Sequence, residues 1–67
     1  MNEGAIQVAP ARCVTIKLAA AVMGLSIGGI QARIARSVWA EGVHYFKREG
    51  RIFIDLQEVD KWVRGTV

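Results

Sequence analysis

Residues 17–36 read Lys17-Leu18-Ala19-Ala20-Ala21-Val22-Met23-Gly24-Leu25-Ser26-Ile27-Gly28-Gly29-Ile30-Gln31-Ala32-Arg33-Ile34-Ala35-Arg36, two short apolar-periodic segments parted at Met23-Gly24-Leu25-Ser26. In the first, Leu18, Ala21, Val22 and Leu25 fall at i, i+3, i+4 and i+7, the spacing of one helical face. Thr15 stands before it as an N-cap, its hydroxyl accepting from a backbone N–H of the first turn. Gly24 supplies the left-handed conformation that ends a helix, and Ser26 caps the next. The second segment, Ile27 to Arg36, sets Ile27, Ile30, Ile34 and Val38 on one arc, predicted to face the core. Gly28, Gly29, Ala32, Arg33 and Arg36 fall on the opposite arc, with Gln31 at its edge. Adjacent glycines cost roughly 1 kcal/mol each relative to alanine inside a helix. So weak a start implies either fraying or a backbone that gains from being bare, through close approach to another surface.

Downstream, Ser37 to Gly42 is a connection containing Trp39. Tyr45-Phe46-Lys47-Arg48-Glu49-Gly50-Arg51-Ile52-Phe53-Ile54 then reads as a hairpin turning at Glu49-Gly50, glycine providing a positive φ. On that register Tyr45 opposes Ile54, Phe46 opposes Phe53, and Arg48 opposes Arg51 with Lys47 beside them. Like charges directly opposite one another destabilise a hairpin, so either an anion or solvation at the tip must relieve them. Asp55 and Glu58 form a capping box for a final helix, with Leu56, Val59 and Val63 inward and Trp62 flanking. Upstream, Val14-Thr15-Ile16 is a short strand or lead-in, and Met1–Ala11, broken by Pro10, is a flexible leader. The expected architecture is α+β. Residues 12–67 form a small winged helix-turn-helix domain with two N-terminal helices, a two-stranded β wing and a C-terminal packing helix.

Sixty-seven residues, 52% of them hydrophobic, make one domain near the lower limit for a single unstapled core. The aromatics Trp39, Tyr45, Phe46, Phe53 and Trp62 are therefore expected in that core rather than stacked on bases. The single cysteine excludes an internal disulfide and gives no basis for a zinc site. Cys13 is read as a small buried apolar side chain beside Val14, in keeping with a reducing cytoplasm. The uncharged run Leu18–Ala32 falls short of the roughly 20 residues that span a bilayer, and it contains three glycines. A signal peptide would carry its apolar run closer to the start. No membrane association is expected. His44 is the lone histidine, and its predicted cross-strand neighbour Asp55 makes a His–carboxylate pair conceivable. No nucleophile lies at a recognisable spacing, and no phosphate loop or ligand cluster is present. His44 is read as structural, and the chain as a non-enzyme without cofactor or metal.

The formal net charge of +3 is unevenly placed. Residues 12–54 carry Arg12, Lys17, Arg33, Arg36, Lys47, Arg48 and Arg51 against Glu41 and Glu49, whereas the tail from Asp55 onward is slightly acidic. Positive charge thus gathers on the two elements that would meet a polyanion. Arg33 and Arg36 are residue types that bond guanine O6 and N7, Gln31 suits adenine, and Ser26 suits base or phosphate. Ser26 at the helix start would also bring a phosphate close to free backbone N–H groups, beside the bare backbone of Gly28. Lys47, Arg48 and Arg51 would follow a phosphate backbone or enter a minor groove. Thr15 and Lys17 are candidate phosphate contacts. The competing reading is an ordinary solvated helix face and a solvated hairpin tip.

The runs Val14-Thr15-Ile16-Lys17-Leu18-Ala19-Ala20, Gly24-Leu25-Ser26 and Ile30-Gln31-Ala32-Arg33-Ile34 resemble the phage excisionase family. So do Gly42-Val43-His44-Tyr45, Gly50-Arg51-Ile52-Phe53-Ile54-Asp55-Leu56 and Val59-Asp60-Lys61-Trp62-Val63. The likeness covers Cys13 to Gly65, and such proteins are similar in fold to the MerR-type winged helix. It implies a recombination directionality factor, non-catalytic, that binds repeated sites in double-stranded attachment DNA. Such a factor bends the DNA and helps a tyrosine-family integrase excise a phage or mobile element. By position, Ser26 to Arg36 would enter the major groove, and Lys47, Arg48 and Arg51 would form the wing contact. The resemblance further implies cooperative self-association on DNA and a nucleoid-associated place in the bacterial cytoplasm. Family recognition helices usually begin with larger polar residues, whereas this one begins Ile27-Gly28-Gly29. That shifts the expected source of affinity toward phosphates, shape and neighbouring subunits. Two other functions fit the same residues: a small prophage transcription regulator of the AlpA or MerR type, and a module whose basic face binds an acidic protein.

Overall fold

The computed structural model describes residues 11–65, so of the expected leader only Ala11 falls within it. The elements run β1 (Cys13–Thr15), α1 (Ile16–Met23), α2 (Ile27–Ala35), β2 (Tyr45–Arg48), β3 (Arg51–Asp55) and α3 (Leu56–Arg64). This is a small α+β domain with a winged-helix layout. Its sheet has three strands rather than the two expected, in antiparallel order β1-β3-β2. The lead-in Cys13–Thr15 pairs with the outer edge of β3, Val14 opposite Ile54, which covers an edge that a bare wing would expose. The hairpin register is as predicted, Tyr45 to Ile54 and Arg48 to Arg51. Its turn places Glu49 at φ 56° and Gly50 at φ 75°, the doubly left-handed pair that matches strand twist.

The caps also fall where the residue types put them. Thr15 Oγ1 accepts from Leu18 N–H at 3.3 Å, and Ser26 Oγ accepts from Gly29 N–H at 2.9 Å. Each such cap stabilises a helix by about 1 kcal/mol. Gly24, at φ 70°, ends α1. The buried faces differ from those predicted in three helices. On α1 the inward stripe is Ile16, Ala19, Ala20 and Met23, while Leu18 is 46% and Val22 54% exposed. Ala21 is exposed too. This helix is apolar nearly all round, so two stripes satisfy the same spacing. The alanine stripe wins because small side chains let helix and sheet approach closely. On α2, Ile30 is fully buried and Ile34 packs on the core, but Ile27 and Val38 are exposed. Ile27 lies in the first turn. Val38 leaves the arc because Ser37, at φ 59°, reverses the chain after the Arg36 cap.

Trp39 fills the space that reversal opens, at 1% exposure, among Val14, Ala19, Ala20, Ile30, Tyr45, Ile54 and Val59. Trp62 meets it edge-on, ring centroids 5.6 Å apart, so Trp62 rather than Val63 completes the inner face of α3. Val63 is 60% exposed. His44 also stacks on Trp39, and its Nδ1 accepts from Ala40 N–H at 3.0 Å. The imidazole is thus a structural group at the base of the wing. No side-chain bond joins it to Asp55; the two meet through Asp55 N–H donating to the His44 carbonyl. Two further expectations fail at the sheet. Cys13 is exposed because strand alternation turns Val14 inward. Phe46 is exposed and Phe53 only half-buried, because they face each other across the hairpin on the side of the sheet opposite to buried Tyr45 and Ile54.

Asp55 joins wing to α3. Its carboxylate accepts from Gln57 N–H (3.0 Å), from Glu58 N–H (3.2 Å) and from Arg12 Nε, which lies 3.0 Å from each oxygen. Burial pushes this carboxyl up, but the Arg12 hydrogen bond and the α3 N–H groups outweigh it and hold it below the usual carboxylate range. Only half of the capping box forms. Glu58 turns outward to Arg12 (3.5 Å) and Lys61 (3.1 Å), because the Asp55 N–H it would serve is already held by His44. Among the described residues no single helix is long and apolar enough to cross a membrane; α1 and α2 are bent 112° to each other.

Candidate nucleic-acid interface

The face of α2 turned from the core carries the predicted contacts in two different conditions. Ser26, Gly28, Gln31 and Arg36 are exposed. Apart from its chain neighbours and the surrounding helix backbone, no atom stands within 4 Å of where a Gly28 Cβ would be, so the backbone there is open to an approaching surface. Gly29 is crowded from within: a Cβ would stand 2.9 Å from Ser26 Oγ and 3.1 Å from Arg33 Nη1. Of the two glycines, one serves internal packing and the other leaves bare backbone. Neither α1 nor α2 has an acidic residue in its first turn, so the positive end of each helix dipole is uncompensated on its own helix. Exposed Thr15 and Lys17 lie at the start of α1. In contrast, Asp55 and Glu58 neutralise the start of α3.

Arg33 does not extend outward. The residue is half-buried, and its guanidinium donates from Nη1 to the Gly29 carbonyl at 2.9 Å and lies 5.7 Å from the centre of the Trp62 ring. This contact joins residues 29 positions apart on different helices, and no periodicity in the sequence marks it. Trp62 is the residue that sequence reasoning missed. Together Gly29, Ala32, Arg33, Arg36, Val38 and Trp62 line an open, mostly apolar pocket of about 290 Å³.

The wing tip is the second cationic region. Lys47, Arg48 and Arg51 are exposed, and the last two sit directly opposite one another across the turn. Among the described residues none of these three, nor Arg36 or Lys17, forms an ion pair, whereas Arg12, Lys61 and Arg64 all do. The basic residues of the C-terminal helix are therefore neutralised locally, and those of α2's end and the wing are not. The described residues contain no group of three or more histidines, cysteines or carboxylates placed to hold a metal ion. No curated protein and no solved structure matches the chain. A family model does match, over residues 5–67, and by it the chain belongs to the family described as "Putative excisionase (DUF1233)".

Proposed function

We propose that this protein is an excisionase-type accessory factor that binds double-stranded attachment-site DNA without catalysing a reaction itself. The observation that carries the reading is the unpaired cationic tip, Arg48 opposite Arg51 beside Lys47, on a winged-helix scaffold whose α2 also ends in a free Arg36. Such a tip is repulsive in the isolated molecule and becomes favourable against phosphates, where each contact releases condensed counterions. In this reading α2 enters the major groove, with Gln31 and Arg36 reaching base edges and Ser26 and bare Gly28 close to a phosphate. Thr15 and Lys17 hold the flanking backbone, while Lys47, Arg48 and Arg51 follow a second stretch of it.

A wing and a helix gripping successive grooves favour bent DNA, because bending lets both engage at once. Few side chains of α2 are available to read bases, so adjacent copies bound side by side supply the remaining affinity. The bent array then assists a tyrosine-family integrase in excision. The test is selection of a site from a random-sequence duplex library, then gel shifts on that site and its scramble across a salt series. Preference for the selected site, weakening steeply with salt, is the expected result. Equal binding to the scramble or to any acidic polymer sinks specific recognition. Footprinting on the element's attachment region, against promoter DNA, separates the excision role from transcriptional regulation.

A further inference from the structure

We propose that Trp62 is a positioning residue of the DNA-binding surface, holding Arg33 back against α3 so that its guanidinium clamps a backbone phosphate beside α2 rather than a base edge. The inference rests on the DNA-binding reading above and adds to it a residue of the C-terminal helix and a changed role for Arg33.

Reach separates a base contact from a phosphate contact. An arginine that bonds guanine must extend away from its helix toward the groove floor. Arg33 runs the other way: Nη1 bonds the carbonyl of Gly29, four residues back on the same helix, and Trp62 flanks the guanidinium at 5.7 Å. A cation beside an aromatic ring is held by the ring quadrupole, so extension would break that attraction and a hydrogen bond together. The charge is therefore fixed close to the surface of α2, at the level of sugar and phosphate. Gly29 makes this seat possible, since a Cβ there would stand 3.1 Å from Nη1.

The pocket beside it has matching chemistry. Arg33, held in its seat, is the fixed positive charge among the lining residues, and Ala32, Val38 and Trp62 make much of the lining apolar. A deoxyribose-phosphate carries both features, an anionic group on an apolar ring. A free acidic side chain supplies only the first. Arg33 keeps N–H donors beyond the one given to Gly29, so it bonds phosphate without leaving its seat. Because α3 follows directly on β3, whose last residue Asp55 is its N-cap, Trp62 also connects the clamp to the element that carries Arg51.

A double-mutant cycle tests this with the full chain, the site recovered by selection and its scramble. Trp62→Leu is expected to weaken binding to both duplexes alike, about fivefold near 0.15 M salt, with a salt slope shallower by about 0.9. In an Arg33→Gln background the same substitution should cost nothing more. Loss of equal size in that background shows Trp62 acting without Arg33 and overturns the proposal. So does a loss confined to the selected site, which makes Arg33 a base reader. Trp62 also touches Trp39, so thermal melts accompany each variant. If Trp62→Leu does not melt cooperatively, Trp62→Phe replaces it in the cycle. Its weaker quadrupole should give a smaller loss, about twofold, again absent in the Arg33→Gln background. Wild-type chain that binds no duplex fails at the first step and sinks the DNA reading itself, a result distinct from all of these.

Discussion

Arg33 on α2 and Arg48 on the wing are both cationic side chains of a surface proposed to meet DNA, yet they stand in opposite states before any DNA arrives. Arg33 is half-buried, hydrogen-bonded to Gly29 and held beside Trp62. Arg48 is exposed and faces another arginine across a tight turn. Ordering a long side chain costs up to about 2 kcal/mol, and in Arg33 much of that cost is met during folding. In Arg48 it falls at the moment of binding, offset by relief of repulsion. The helix face is thus preorganised and the wing is frustrated. A preorganised contact fixes register, and a frustrated one supplies salt-dependent affinity without demanding sequence.

The sharpest test of that division lies at the end of α2. Arg36 is exposed and without an ion pair among the described residues, so it is the arginine at the end of α2 still free to reach a base edge. Arg36→Ala is expected to reduce preference for the selected site over its scramble by about 1–3 kcal/mol, mostly at one base pair. Competition gel shifts with single-base variants of the site measure it. If preference is unchanged, the helix face is another phosphate contact and the contrast with the wing disappears.

At the wing the expected change is uniform. Arg48→Ala with Arg51→Ala should weaken binding to selected and scrambled duplexes equally, by roughly 30-fold near 0.15 M salt, or about 2 kcal/mol. The same pair should raise thermal stability by a few tenths of a kcal/mol through removal of opposed charges. A double variant that binds less and melts lower would mean that the tip is held by something other than repulsion against solvent.

How much of this was legible in the sequence depends on how local the cause is. Caps at Thr15 and Ser26, the stop at Gly24, the turn at Glu49-Gly50 and the hairpin register each follow from a few neighbouring residues, and the structure has them all. Helix faces were less legible. On α1 an all-apolar segment offers two stripes of equal spacing, and only the size of Ala19 and Ala20 against their neighbours decides between them. Counting onward from Ile34 places Val38 in the core. A non-glycine residue in the left-handed region, Ser37, ends that count without a sequence signal. A short strand at Val14-Thr15-Ile16 is one of two readings of that stretch, but its pairing with β3 was not legible, nor was the Arg33–Trp62 contact, because each joins segments far apart in the chain. At the candidate site, residue types were readable and their conformations were not.

Beneath the wing, Asp55 gives the comparison a pH axis. Its carboxyl sits below its ordinary value of 3.8 in the folded protein, burial being outweighed by Arg12 and the first N–H groups of α3. A depressed carboxyl contributes stability that is fully present above the unfolded value, and that contribution is lost as pH falls through the folded one. Melts should therefore be flat in this respect above about pH 5 and fall as pH drops below about 4. Asp55→Asn keeps an N-cap but loses the charged bond to Arg12. It is expected to cost about 1.5 kcal/mol at neutral pH and to flatten the acid limb. DNA contacts at the tip carry no carboxylate partner, so the salt slope of binding should be untouched. An acid limb unchanged in Asp55→Asn would place the acid-sensitive carboxylate elsewhere.

The smallest effects separate the two glycines of α2. Gly28→Ala adds a methyl group into open space at a helical position, so it should stabilise the fold by about 1 kcal/mol. Gly29→Ala gains the same propensity but sets its Cβ 2.9 Å from Ser26 Oγ and 3.1 Å from Arg33 Nη1. Both atoms end flexible side chains and can yield, but yielding weakens the Ser26 cap, itself worth about 1 kcal/mol, and unseats Arg33. The net change in stability should be close to zero, and the salt slope of DNA binding should fall as it does for Trp62→Leu. Gly28→Ala should do the reverse, raising the melting temperature while weakening DNA binding through a methyl group set between backbone and phosphate. Equal stabilisation by the two substitutions would show that Arg33 is not held at Gly29. Undiminished DNA affinity in Gly28→Ala would show that the bare backbone serves no approach, leaving fraying as the cost of that glycine.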